Sequence, residues 1–164
     1  MNKNEDRYVT AIFCDDIRHE VGGKISYMGC YQSEIVVQTA PVLLAKLCVF
    51  VSVFTPKNRL FKSLIFRVLQ DDDVELARIE VPEKGLTEIH NHQTIDKSAT
   101  RKSINTAIVF SPFAIEKPTM LRIMAITEEG EITGPRILIK VAATQEPTVQ
   151  PAKKPRMTKP KAIK

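Results

Sequence analysis

The sequence predicts an all-β protein: a single β-sandwich of about eight mostly antiparallel strands, followed by a disordered basic C-terminal tail. Three observations carry that reading. Apolar runs of strand length recur between turn-forming residues from Arg7 to Ala142. One of them, Leu47–Phe54, is apolar on both faces, as a strand covered on each side must be. No long stretch shows a clear apolar stripe of helical period. The divisions are a flexible N-terminus over 1–6, the sandwich domain over 7–142 and a Pro- and Lys-rich tail over 143–164. A sandwich is preferred to a barrel because small closed barrels more often keep strict inside–outside alternation.

The elements follow in order. In Tyr8–Cys14, alternation puts Val9, Ala11 and Phe13 on one face. Lys24–Tyr31 is the second strand, with Ile25, Tyr27 and Tyr31 together, and Glu34–Val37 extends it after a kink. Pro41 then interrupts pairing. Leu47–Phe54 is the central strand, closed by a turn at Pro56 and Asn58. Lys62–Leu69 and Val74–Val81 flank "QDDD", a hairpin whose Asp residues tolerate left-handed backbone. Ala77, Ile79 and Val81 should point inward, and Glu75, Arg78 and Glu80 outward. Pro82 to Arg101 shows no period. Ser103–Phe110 is a strand, "SPFAIEKP" bends the chain, and Met120–Thr127 pairs with Arg136–Val141 around "EEGEITGP".

The charge is uneven. From Thr144 to Lys164 there are six cations, Lys153, Lys154, Arg156, Lys159, Lys161 and Lys164, against Glu146 alone. That is +5, the net charge of the whole chain, so the rest is balanced. With Pro147, Pro151, Pro155 and Pro160 and few large apolar residues, this segment buries too little surface to offset ordering entropy. Nothing approaches the ~20 apolar residues of a membrane span. The polar start, "MNKNEDRYV", leads into no apolar signal region. A soluble, cytoplasmic protein with no membrane association is expected. Cys14, Cys30 and Cys48 are odd in number and form no C-x-x-C pair, so each is expected as a small buried core residue rather than a disulfide or zinc ligand.

The chemistry-bearing stretch is "FCDDIRHEVGGKISYMGCY", Phe13 to Tyr31. Cys14, His19 and Asp15 or Asp16 supply the residue types of thiol catalysis, but triad members usually come from separate elements brought together by the fold. A hairpin accounts for the stretch more fully. Asp15-Asp16 ends a strand and accepts backbone N–H groups, and Gly22-Gly23 supplies positive φ for the turn back. Lys24 opens the next strand, and Arg18 and Glu20 sit at the mouth with the Asp pair. Asp15, Asp16, Arg18, His19, Glu20, Gly23 and Lys24 form the candidate binding loop.

Phe13, Asp15, Asp16, Ile17, Arg18, Glu20, Gly23, Lys24, Ile25, Gly29 and Tyr31, in that order, carry a resemblance. So do "FRVLQDDDVELARIEV" and "LRIMAITEEGEITGPRILIKV". Together they resemble an uncharacterised family of small bacterial and phage proteins, over Arg7 to Val141 and without the tail. The resemblance implies a compact all-β domain and a bacterial or phage setting, and no reaction.

Other motifs are weaker. "HNH" at His90–His92 is not the nuclease motif, whose residues lie far apart on a ββα element. On a strand, His90 and His92 would share a face as two metal ligands, but further ligands are wanting. Asp71-Asp72-Asp73 offers hard oxygens for calcium, to be joined by Asp15, Asp16 and Asp96 if the loops met, but lacks the EF-hand spacing. There is no phosphate-cradling glycine loop and no nucleophile elbow. In "PKNRLFK", Lys57, Arg59 and Lys62 beside Phe61 match the residue types of nucleic-acid stacking, whereas Phe50 and Phe66 suit the core.

The expected function is a non-enzymatic binding or assembly module acting on an unidentified protein partner or on itself, with no cofactor and no metal. Nucleic-acid binding by Lys153, Lys154, Arg156, Lys159, Lys161 and Lys164 is the alternative, driven by counterion release from phosphates. A metal-dependent hydrolase using the Asp and His loops is the third reading.

Overall fold

The computed structural model describes residues 7–92 and 98–142. The proposed tail, with its six cations, and residues 1–6 lie outside them. The elements are β1 (Tyr8–Cys14), β2 (Asp16–Glu20), β3 (Lys24–Met28), β4 (Glu34–Val37), β5 (Val42–Leu44), β6 (Leu47–Pro56), β7 (Leu64–Gln70), β8 (Val74–Val81), α1 (Glu83–His92), β9 (Arg101–Phe110), β10 (Phe113–Ile115), β11 (Thr119–Thr127) and β12 (Gly130–Val141).

Two sheets make the sandwich-like all-β body. One has the order β1-β6-β9 and the other β4-β12-β11-β7-β8; β10-β5 and β2-β3 are small two-stranded sheets. All pairs are antiparallel except β12 with β4. Period-two alternation decides which residues are inside. Val9 and Phe13 of β1, Val49, Val51 and Val53 of β6, and Ile104 and Ile108 of β9 face the core. Phe66 and Val68 of β7, Leu121, Ile123 and Ala125 of β11, and Ile137 and Ile139 of β12 meet them. β6 is the central strand of its sheet, as its two apolar faces required. Gly134 lets β12 pass close to β1: a Cβ there would lie 2.9 Å from both the Ile123 carbonyl oxygen and Val9 Cγ1.

Several expectations are corrected. The described residues hold twelve strands rather than about eight, because three short ones, β2, β5 and β10, add to the long runs and β4 is a strand of its own. Glu34–Val37 does not continue the second strand. It crosses to the other sheet and pairs in parallel with Leu138–Val141. β12 begins at Gly130, so the last hairpin turns at Glu128-Glu129 and "EITGP" lies within the strand. The segment without a visible period contains a ten-residue helix. Its apolar contribution is only Leu86, buried, and Ile89, packed at the core margin, too sparse to read as a stripe. The Leu86 amide bonds the Pro82 carbonyl and Lys84 pairs with Glu88 one turn on.

The QDDD hairpin forms as expected, with Asp71 at φ 52° and Asp72 at φ 68°. Asp71 accepts from Thr119 Oγ1 at 2.8 Å and from the Met120 amide at 2.9 Å, and Asp72 pairs with Arg122. These carboxylates serve the β7–β8 turn and its neighbour β11. Ala77, Ile79 and Val81 are half-buried, while Glu75, Arg78 and Glu80 are exposed.

One end of the body is tied by Arg7, whose side chain is fully buried. Nε donates to Thr55 Oγ1 at 3.1 Å, and Nη2 donates to the Arg59 carbonyl at 2.9 Å and to Glu128 Oε1 at 2.8 Å. The guanidinium lies 4.7 Å from the centre of the Phe61 ring. The second oxygen of Glu128 takes the Lys62 and Ser63 amides. Phe61 is thus core packing beneath Arg7 and offers no stacking surface, and Arg59 is bound to Glu129. This overturns the reading of "PKNRLFK" as a stacking loop.

Candidate functional site: the braced ribbon

Asp15, Asp16, Arg18, His19, Glu20, Gly23 and Lys24 do come together, but on a different element from the one expected. β1 does not pair with the strand that follows the turn. It pairs with β6, and the chain bends at Asp15 to start a new strand. β2 and β3 then form their own ribbon, with Asp16 opposite Met28, Arg18 opposite Ser26, and Glu20 opposite Lys24. Gly22 and Gly23, at φ 83° and 74°, make the turn, in a left-handed region that costs a residue with a side chain.

Alternation divides the ribbon into two faces. Ile17, His19, Ile25 and Tyr27 share one, and Asp16, Arg18, Glu20, Lys24 and Ser26 share the other. Tyr27 seats the first face on the outer side of the three-stranded sheet, its ring 5.2 Å from that of Phe50 and tilted at 59°. Beneath lie Cys14 and Cys48, opposite each other across β1 and β6 and both buried. The Cys48 thiol donates to the Asp15 carbonyl at 3.7 Å. Burial, with Cys48 second, pushes the Cys14 thiol up to about 11, which keeps it protonated and a poor nucleophile. Cys30 departs from expectation: it is exposed, because Gly29 at φ 64° turns the chain out of β3.

The Asp pair braces the ribbon's base. Asp15 does not cap a strand with backbone bonds. Its carboxylate accepts the Tyr31 hydroxyl and lies against Gly29, where a Cβ would come within 2.7 Å of the Asp15 Cγ. Backbone bonds frame the contact, from the Asp15 amide to the Met28 carbonyl at 2.9 Å and from the Tyr31 amide to the Phe13 carbonyl at 2.8 Å. Burial and then the Asp15 carboxylate push the Tyr31 hydroxyl up to about 12. Asp16 takes Lys46 Nζ at 2.9 Å on one oxygen and Arg18 Nε at 3.1 Å on the other. The Lys46 hydrogen bond, then that of Arg18, holds the Asp16 carboxyl below its usual range. Glu20 stands at the far end of the ribbon, away from the Asp pair. His19 is exposed on the ribbon itself.

Sequence reasoning missed four contributors. Lys46 lies in an apolar run and showed no tie to Asp16. Gly29 and Tyr31 were visible only as parts of a motif. Val21 was given no role, yet at the tip of the ribbon it is 98% exposed. Nothing beyond the adjoining residues lies within 4 Å of where Gly22 or Gly23 would carry a Cβ. A branched apolar side chain between Glu20 and a Gly-Gly turn is the signal that could have marked it.

The other proposed sites do not assemble as drawn. Asp71 and Asp72 are held by β11, Asp15 by Tyr31 and Asp16 by Lys46 and Arg18, and Asp96 lies outside the described residues. His90 and His92 belong to a helix, where residues two apart do not share a face. Among the described residues, no group of three or more His, Cys, Asp or Glu is arranged to hold a metal ion. No helix among them is long and apolar enough to cross a membrane. Comparison with models of known protein families and with curated proteins finds no match.

Proposed function

We propose that the protein is a non-enzymatic binding or assembly module that grips a protein partner with the β2–β3 ribbon. The bacterial or phage setting implied by the resemblance is part of the same proposal. One observation carries it: a two-stranded ribbon, braced at its base, holds the apolar side chain of Val21 almost wholly in water at its tip. An exposed valine on a stiffened turn contributes nothing to its own fold. Buried in a partner's pocket it would contribute about 1.5–3 kcal/mol. Along the ribbon, Arg18, Glu20 and Lys24 supply a charged margin of the kind that surrounds an apolar anchor.

The test is affinity capture from host lysate with the full chain and with Val21→Asp, each with and without nuclease. The reading expects a protein that survives nuclease and is lost with Val21→Asp. Recovery of nucleic acid alone, abolished by a chain ending at Ala143, would transfer the function to Lys153–Lys164. Equal capture by both chains would remove the ribbon from the proposal.

A further inference from the structure

We infer that β9 is an assembly edge, on which a second copy of this chain adds its own β9 in antiparallel register. The inference comes from comparing the edges of the two main sheets. An open strand edge presents unpaired N–H and C=O groups, and proteins usually blunt it by shortness, charge, proline, a bulge or a covering segment. β4 is four residues long and begins with Glu34. β8 alternates Glu75, Arg78 and Glu80 on its outward face, and its pairing with β7 is broken by an irregularity at Val68/Leu69. β1 is bridged at Phe13 by Tyr31 and crossed at Val9 by β12 near Gly134.

β9 carries Arg101 and the buried Lys102 at its start, but among the described residues its run from Ile104 to Phe110 has none of these guards. Its pairing with β6 runs without interruption over ten residues, from Pro56↔Arg101 to Leu47↔Phe110. It contains no proline, and from Ile104 to Phe110 it carries no charge. Among the described residues, no strand pairs with its outer edge. On the outer face beside that edge, Asn105 and Ala107 are exposed and Val109 is 54% exposed.

The composition selects the occupant. A generic peptide would leave the choice of partner to side-chain pockets, and β9 offers a flat row of small and neutral side chains. A second β9 is self-complementary. In antiparallel pairing about a two-fold axis, an uncharged stretch meets itself, and no like charges oppose. With the axis at Ala107, Asn105 of one copy faces Val109 of the other. Arg101 and Lys102 then fall opposite Phe113 and Pro112 and away from their own counterparts. Two three-stranded sheets become one of six strands, and the ribbons stay on the outer face.

This inference does not rest on the ribbon as a grip. Its test is the solution mass of the full chain, by sedimentation or light scattering, from low to high micromolar concentration. The expected result is a concentration-dependent rise from the mass of one copy to that of two. Ala107→Lys and Val109→Lys, both at exposed positions, should hold the protein at the mass of one copy while circular dichroism and melting stay as in the parent. Val21→Asp should dimerise like the parent. A parent chain with the mass of one copy throughout overturns the inference, as does a dimer that persists in both lysine variants. A dimer lost only with Val21→Asp would place self-association on the ribbon and overturn it equally.

Discussion

The Tyr31 hydroxyl donates to the carboxylate of Asp15, sixteen residues earlier, directly above a glycine that leaves room for that carboxylate. Asp15, Gly29 and Tyr31 therefore form one structural unit, although they are scattered through the sequence. The hydroxyl supplies the bond, the glycine supplies the space, and the backbone bridge from Tyr31 to Phe13 fixes the distance between them.

Gly29→Ala should be the most damaging single change at the ribbon. It adds a Cβ against the Asp15 carboxylate and places a side chain at φ 64°. A loss of about 1–3 kcal/mol is expected in urea denaturation. Gly22→Ala has the same kind of backbone conformation but open space around it, so it should cost only the conformational part, about 1 kcal/mol.

Tyr31→Phe should lower stability by about 1–2 kcal/mol, the range for a hydrogen bond to a charged group that is partly solvated. The parent should also show an alkaline signature. The hydroxyl's folded pKa, about 12, lies above its unfolded value, so its contribution is complete below about 10 and is lost as the pH rises through 12. In Asp15→Asn, ultraviolet titration should find the tyrosine pKa lower than in the parent. It should still stand above the ordinary value, because burial, the larger cause, remains.

Arg7→Ala should destabilise the fold by about 3–5 kcal/mol, since it leaves Glu128 and the Arg59 carbonyl without their buried donor. Burial pushes the Glu128 carboxyl up, but its bonds from Arg7 and the loop amides outweigh that and hold it below its usual range. Its contribution is therefore present above the unfolded carboxylate pKa and is lost as the pH falls through the depressed folded value. Stability against pH should flatten in that acid range in Arg7→Ala. An unchanged acid slope would show that Arg7 is not what holds Glu128 ionised.

Thiol labelling should separate the three cysteines. Cys30 is exposed and should react with a disulfide reagent at once. Cys14 and Cys48 are buried and should react only in denaturant. One rapid equivalent followed by two slow ones is the expected record, and three rapid equivalents would mean that the ribbon does not cover the β1–β6 pair.

Much of the fold was legible because alternation and turn chemistry are local. Val9, Ala11 and Phe13 declared a face, Leu47–Phe54 declared a central strand, and QDDD declared its own turn. What failed depended on distance. Glu34–Val37 has nothing in its own residues to say that it will cross to the far sheet beside Leu138. Asp15-Asp16 reads equally well as the end of a strand or as a bend into a new one, and only the partner of β1 decides between them. The helix at Glu83–His92 was hidden because two apolar residues suffice where a helix only plugs a margin. The residues of the candidate loop do lie together on the β2–β3 ribbon, but their contacts were assigned by adjacency. Lys46 and Tyr31, which hold Asp16 and Asp15, lie beyond the reach of that reasoning.

The parallel pairing of β4 with β12 has a temporal consequence. During synthesis β4 emerges early, and the strand it needs is the last of the body to appear. Until then Ile35 and Val37, both buried in the finished protein, have no sheet to enter. The β1–β6–β9 sheet can form on the growing chain, and so can the β7–β8 hairpin. The five-stranded sheet closes only when its final strand slides between β11 and β4. Closure of so long a loop is slow relative to hairpin formation. The nascent chain should therefore spend its most aggregation-prone interval with one short apolar strand waiting for a late partner.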